Sequence, residues 1–196
     1  FIVFYIIYIF SKKLRLFRIT YVVLFSLFFY YKSSGVYFGL LIFSSVVDYA
    51  ISRLIYEEDK QWYRKFYMII SLIVNLGLLG YFKYTNFLIE NYNAIFNGNM
   101  KFEDIILPVG ISFYTFQTLS YTIDVYRKEL KPTKSFIDFI FFVSFFPQLV
   151  AGPIVRAKDF IPQIYEKLKL SKEDFNNALF LIIGGLLKKA VISDYI

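Results

Sequence analysis

The sequence predicts an all-α, multi-pass transmembrane helical bundle with a re-entrant hairpin and interfacial helices. Three observations carry that prediction. Of the 196 residues, 58% are hydrophobic and the mean hydropathy is +0.53, against roughly 45–50% apolar residues in ordinary soluble domains. Phe (25) and Tyr (18) are abundant, and such rings suit the hydrocarbon core and its wet boundary. Apolar runs approaching the roughly 20 residues needed to cross a bilayer recur along the chain, separated by charged loops. A soluble protein of this composition would expose large apolar patches and aggregate.

Composition also excludes chemistry. With no cysteine there are no disulfides and no thiol nucleophile. With no histidine, the commonest general base, metal ligand and physiological pH switch are absent from this stretch. Scattered carboxylates show no metal-ligand spacing. The net charge of +7 fits contact with anionic headgroups of the lipid bilayer better than nucleic acid, so no nucleic-acid partner is expected. The chain starts at Phe1 and stops at Ile196 inside an apolar run, which reads as one domain portion, 1–196, cut at both ends.

In order, residues 1–10 read as the tail of a helix, followed by a basic loop (Lys12, Lys13, Arg15, Arg18). Residues 19–31 form a short span helped by snorkelling of Arg18 and Lys32, closed by a Ser33-Ser34-Gly35 turn. Residues 36–56 form the next span, with Ser44, Asp48 and Ser52 four apart on one face. That face reads either as polar glue between helices or as a substrate or ion site. After a charged loop, Glu57 to Lys65, residues 66–89 form a helix in which Gly77 and Gly80 serve packing. Glu90 to Asp104 is a polar loop. Residues 105–126 form a span with Pro108 in its first turn, and residues 135–150 an aromatic-rich segment. The charged, amphipathic stretch Val155 to Glu173 is expected at the interface. Residues 175–192 begin another span, with a close helix contact expected at Gly184-Gly185.

Basic residues orient this map. Loops 11–18, 53–65 and 127–134 hold four Lys or Arg each, whereas 32–35 and 90–104 hold one each, placing the basic set in the cytoplasm. Simple alternation would strand Arg156, Lys158, Lys167, Lys169 and Lys172 outside. The conflict disappears if residues 135–155 enter and return on the same side, with breaks at Pro147 and Pro153, wrapped by other helices.

The span 105–126 carries the chemistry. Gln117, Ser120, Asp124 and Arg127 share one helical face, and Ser112, Thr115, Thr118, Thr122 and Tyr126 form a second stripe about 100° away. Phe113, Phe116, Leu119 and Ile123 cover the opposite side. Lipid cannot hydrogen-bond to these groups, so the polar face looks at protein or enclosed water, as a pocket or channel wall. Gln117 reads equally as an interhelical bond, and Asp124 with Arg127 also reads as an ion pair fixing a helix end.

Two blocks then stand out: Leu107-Pro-Val-Gly-Ile-Ser-Phe-Tyr-Thr-Phe-Gln-Thr-Leu-Ser-Tyr-Thr-Ile-Asp-Val-Tyr-Arg127 and Phe145-Phe-Pro-Gln-Leu-Val-Ala-Gly-Pro-Ile-Val-Arg156. Together they resemble the membrane-bound O-acyltransferase family, in its bacterial, alginate O-acetylation branch. Asn75-Leu-Gly-Leu-Leu-Gly-Tyr-Phe-Lys-Tyr84 and Gly184-Gly-Leu-Leu-Lys-Lys189 also fit. The resemblance implies a bacterial cell-membrane enzyme, of which 1–196 is the N-terminal part. Such an enzyme moves an acyl group, most simply acetyl, from a cytoplasmic donor (acetyl-CoA or an acyl carrier) to a hydroxyl of an exported glycan or cell-envelope acceptor. It implies an extracytoplasmic acyl-handling partner protein and no bound cofactor. The family's catalytic histidine is expected beyond Ile196, leaving this stretch alone inactive. The residues that match the motifs, as candidate pocket or tunnel lining, are Tyr114, Gln117, Tyr121, Asp124, Arg127, Gln148, Gly152, Pro153 and Arg156. Tyr114, Gln117 and Tyr121 are candidate hydrogen-bond donors along an acyl tunnel, and Arg127 or Arg156 a candidate site for a phosphate or polyanion. A lipid-linked-glycan transporter, or a non-catalytic membrane scaffold, uses similar polar stripes.

Overall fold

A computed structural model describes residues 15–149, 152, 155–166 and 171–193; the helix tail expected at 1–10 lies outside them. The described residues are helical between short connections, with no strand among them. They form two units, one ending at Ile164 and one starting at Tyr165.

In the first unit, α1 (Arg15–Ser34) and α2 (Phe38–Glu57) are each 20 residues long. That is about 30 Å, the thickness of a hydrocarbon core. The span expected at 19–31 therefore extends at both ends, taking in Arg15, Arg18 and Lys32. Gly35, at φ +57°, supplies the left-handed backbone that ends α1, and one 3-10 turn leads into α2. Phe136 packs on Tyr49 near the end of α2, with ring centroids 5.3 Å apart, and joins the cluster around Ile19 at the start of α1. The two helices thus fold back on each other.

α3 (Gln61–Leu79), a π-turn (Gly80–Tyr84) and α4 (Thr85–Phe96) form one helical run. The polar loop expected from Glu90 begins only at Asn97, which caps α4 in the left-handed conformation at φ 49°. Two helical runs, Leu16–Glu57 and Gln61–Phe96, are long and apolar enough to cross a membrane. Among the described residues a Cβ at Gly77 or Gly80 would meet nothing within 4 Å, so neither serves close packing there; Gly80 opens the π-turn. The connection after α4 is held by two asparagines. Asn93 donates to the Met100 carbonyl and accepts from its N–H, both at 2.9 Å, and Asn86 does the same with Glu103. Seven helical residues and three extended ones both span about 10 Å, so residues 100–103 run alongside α4.

α5 (Ile111–Tyr126) is the central helix, packed on α2 and α3 and, less extensively, on α6. It is shorter than the expected 105–126, because Pro108 offers no N–H and Gly110 takes φ +74° as N-cap, so the helix starts after both. The apolar side is unevenly covered: Phe116 is 49% exposed, Phe113 and Ile123 are half-buried and Leu119 is buried.

α6 (Phe136–Ser144), α7 (Phe146–Leu149) and α8 (Ala157–Tyr165) are short; nine residues reach only about 14 Å, half a bilayer core. The chain enters beside Lys134, whose carbonyl accepts from the Tyr49 hydroxyl at 2.8 Å. It reaches the opposite end of α5 at Leu149, whose carbonyl lies 3.0 Å from where a Gly110 Cβ would sit. At Arg156 it is again within electrostatic range of Asp124, in the last turn of α5. Phe160 then packs on Phe141, Phe142 and Phe145 at 5.7, 5.6 and 5.5 Å. Residues 135–149 thus leave the basic end and Arg156 is back at it, the out-and-back course that the charge pattern predicted for 135–155; α8 follows that return and packs on α6. α8 is amphipathic as expected: Ala157 and Ile164 are buried, while Lys158, Asp159 and Gln163 are exposed.

The bonds between elements sort by end. At the basic end, Gln61 Nε2 donates to the Tyr126 hydroxyl at 2.9 Å and Arg64 to the Tyr126 carbonyl at 2.6 Å. At the other end, Val109 N–H donates to Ser34 Oγ at 3.2 Å and Lys83 Nζ to Ser112 Oγ at 3.3 Å. The loops rich in Lys and Arg therefore gather at one end of the unit.

The second unit contains α9 (Lys172–Leu187) and a π-turn (Lys188–Ser193). A capping box starts α9, with Ser171 Oγ accepting from the Asp174 N–H and the Asp174 carboxylate accepting from the Ser171 N–H. The Ser171 donors hold the Asp174 carboxyl below its ordinary range. Within this unit, a Cβ at Gly184 or Gly185 would meet nothing within 4 Å among the described residues.

Candidate functional site

Three polar regions line α5, and they differ in how well their groups are partnered. The first faces α2 and α3. Asp48, fully buried, accepts from Ser71 Oγ at 2.5 Å and from Asn75 Nδ2 at 3.0 and 2.9 Å. Thr118 Oγ1 donates to Asn75 Oδ1 at 3.4 Å. The α-helical step of four puts Ser71 and Asn75 on one face of α3, opposite Asp48. The second stripe of α5 thus closes an interhelical network and does not line a channel there. Ser44 and Ser52, expected to join Asp48, bond instead to backbone carbonyls of their own helix, Leu41 and Tyr49.

The second region faces the hairpin. Gln117, 1% exposed, donates from Nε2 to the Phe142 carbonyl at 2.8 Å, near the end of α6. Because the carbonyl needs a donor, this bond fixes the orientation of the amide and leaves Oε1 without a hydrogen-bond partner among the described residues. Two residues past Phe142, the fully buried Ser144 Oγ also lacks a partner. Asp124, 5% exposed, has an unpartnered Oδ2 and senses the charges of Arg156, Glu129, Lys158 and Arg127. The ion pair expected between Asp124 and Arg127 does not form, since α5 ends at Tyr126 and Arg127 is exposed while Asp124 is buried. Native interiors leave few buried polar atoms unbonded, so a run of them marks a place for water or ligand.

The remaining candidates are placed as follows. Tyr114 is buried edge-on against Tyr30, with centroids 6.2 Å apart. The Tyr121 hydroxyl accepts from the Thr133 N–H at 2.9 Å, and its ring packs on Phe139 at 4.7 Å; it anchors the connection into the hairpin. Gln148 is buried in α7, and its carbonyl accepts from the Gly152 N–H at 3.0 Å. A Cβ on Gly152 would fall 2.5 Å from Gln148 Cα, so only glycine permits this return. Arg156 is exposed at the basic end, and Pro153 lies outside the described residues.

The structure brings the two sequence blocks together along one side of α5, at Gly110 with Leu149, at Gln117 beside α6, and at Asp124 with Arg156. The third region is the end of the unit opposite the basic loops, where Lys83 meets Ser112. Sequence reasoning missed Lys83, Ser144 and Arg64. Arg64 is 3% exposed, bonds to the Tyr126 carbonyl and lies over the Tyr126 ring at 5.7 Å, so it caps α5. Its place three residues into a helix starting at Gln61 was the available signal; in the sequence it looked like one more loop charge.

An inward-facing polar helix, clasped by a returning hairpin and flanked by membrane-length helical runs, defines a membrane protein with an enclosed polar seam. Comparison with known proteins then supplies the kinship. The chain is 36% identical to a peptidoglycan O-acetyltransferase of Helicobacter pylori, over 93% of this chain and 40% of that protein. It is 41% and 39% identical to the probable alginate O-acetylases AlgI of Pseudomonas aeruginosa and Pseudomonas putida, over 65% of this chain and 25% and 27% of theirs. No family model matches the chain, and no solved structure matches it. The matches bear out the resemblance: the chain is similar to proteins named for the O-acetylation of peptidoglycan and alginate. It spans less than half the length of these curated relatives.

Proposed function

We infer that this chain forms part of a bacterial membrane O-acetyltransferase that passes an acetyl group from a cytoplasmic donor to a hydroxyl of an exported polysaccharide. The observation that carries this reading is the seam between α5 and the hairpin, where Gln117 Oε1, Ser144 Oγ and Asp124 Oδ2 are buried and have no hydrogen-bond partner among the described residues. O-acetylating relatives support the reaction class.

Acyl transfer needs donors or dipoles at the developing oxyanion, a base for the acceptor hydroxyl, and exclusion of water from the activated acyl group. The hairpin wraps the seam in aromatic side chains and so excludes water. Gln117, held by Phe142, presents a fixed acceptor to a donor group of the substrate, and Ser144 a free hydroxyl. Arg156, beside Asp124 at the basic end, suits the phosphates of acetyl-CoA or of a phosphopantetheine-bearing acyl carrier, because guanidinium pairs with tetrahedral anions. The sequence holds no histidine; by resemblance the base is a histidine beyond Ile196. The unit crosses the cell membrane several times, basic end inward, and delivers to a glycan or an acyl-handling protein outside.

The test is transfer of labelled acetyl in membranes carrying the whole protein. Label appears on glycan hydroxyls, Gln117→Ala lowers the rate at least about tenfold, and Arg156→Ala raises the KM for the donor by a similar factor. If both variants transfer at the parent rate, the seam is not the site.

A further inference from the structure

The seam between α5 and the hairpin continues past Gln117, away from the basic loops. Tyr114 lies one turn before Gln117 on the same face of α5, and its ring meets that of Tyr30 from α1. One turn before Tyr30, Ser26 Oγ accepts from the Phe146 N–H of α7 at 3.3 Å, and Gly110 abuts the Leu149 carbonyl. One turn after Tyr30, Ser34 Oγ accepts from the Val109 N–H. α1, α5 and α7 therefore close on one another around Tyr30. Its hydroxyl is fully buried and lies within electrostatic reach of Tyr114 and Ser34, yet it has no hydrogen-bond partner among the described residues.

Tyr30 Oη thus extends a row. From the outer end toward the basic end come Tyr30, then Gln117 with Ser144, then Asp124, each keeping a buried polar atom without a partner among the described residues. Tyr114 and Asp124, which bound the row on α5, are ten helical residues or about 15 Å apart. The hydroxyls of Tyr30 and Ser144 both donate and accept, a carboxylate takes up and gives back a proton, and the Gln117 oxygen can hold a water in line. Unbonded groups of this kind hold ordered water, and rows of carboxylates, polar groups and water carry protons within membranes. Asp124 closes the row at the basic end, among the charges of Arg156, Glu129, Lys158 and Arg127. The other flank of α5 offers no such row, because Asp48 is met by Ser71 and Asn75.

The acetyl-transfer reading above, on which this inference rests, creates a need for that row. Outside, the acceptor O–H bond breaks and an O–C bond to the acetyl group forms. Inside, the donor C–S bond breaks and an S–H bond forms, since an alkyl thiol such as that of cysteine, with a pKa of about 8.5, keeps its proton at neutral pH. A proton is therefore released on one face for each one taken up on the other. We propose that Tyr30, Gln117, Ser144 and Asp124 form an inward proton path, so that every acetyl group passed out is matched by a proton passed in.

The experiment uses inside-out vesicles carrying the whole protein, with acceptor glycan and a pH-sensitive dye sealed in the lumen and labelled acetyl-CoA added outside. In the parent, acetylated glycan accumulates while the lumen holds its pH. Tyr30→Phe removes only the unpartnered oxygen and keeps the ring, and Asp124→Asn keeps the side-chain shape. Each slows transfer at least about tenfold and releases a proton into the lumen with every acetyl group transferred. A parent lumen that acidifies in step with transfer, or a lumen that stays silent in both variants, overturns the path. A parent that yields no acetylated glycan overturns the transferase reading, and this inference with it.

Discussion

The two flanks of α5 use similar residues to opposite ends. Toward α2 and α3, a buried carboxylate is met by a hydroxyl and an amide, and the amide in turn by a threonine. Toward the hairpin, an amide, a hydroxyl and a carboxylate each keep an atom with no hydrogen-bond partner among the described residues. A satisfied network fixes helix register, because any slip would strand several groups at once. An unsatisfied one costs stability that a ligand or ordered water recovers. One flank therefore holds the bundle together, and the other is available for chemistry.

The comparison breaks first at Asp48. Asp48→Ala strands the Ser71 and Asn75 donors and costs about 3 kcal/mol, read as a lowered unfolding temperature of the purified protein in detergent. An unchanged melting temperature would mean that the network carries no load. Gly110→Ala comes next. It forces a Cβ into a left-handed backbone and within 3.0 Å of the Leu149 carbonyl, which costs about 2 kcal/mol and loosens the hairpin. Proteolysis between α6 and α8 should accelerate, and a cleavage rate equal to the parent's would detach Gly110 from the hairpin. Smallest is Gln117→Leu, which removes the orphan oxygen together with the Phe142 bond. Stability should move by less than about 1 kcal/mol while transfer falls. A large loss of stability would assign Gln117 to the load-carrying flank.

Helicity, the sidedness of the loops and the returning hairpin were legible in the sequence. The first follows from apolar length, the second from Lys and Arg asymmetry, and the third from the conflict that simple alternation creates at Arg156. The polar stripes of α5 were legible too, but their division of labour was not. A helical wheel places Thr118 and Gln117 on neighbouring faces without saying which neighbour each will meet. Asn75 and Phe142 lie 43 and 25 residues away from them, and only packing decides those pairings. Arg64 was read as a loop charge because periodicity is blind to a cap reaching a distant helix end.

By itself, the order of residues determined an all-helical membrane chain with basic loops on one side, a polar central helix and two motif blocks. Those are properties of composition and period, local to each segment. Tertiary structure alone decided that the blocks meet across α5, that Asp48 is quenched, and that Gln117, Ser144 and Asp124 keep unbonded atoms. Hydrogen-bond satisfaction is a property of pairs, and a linear chain does not specify its pairs until it packs.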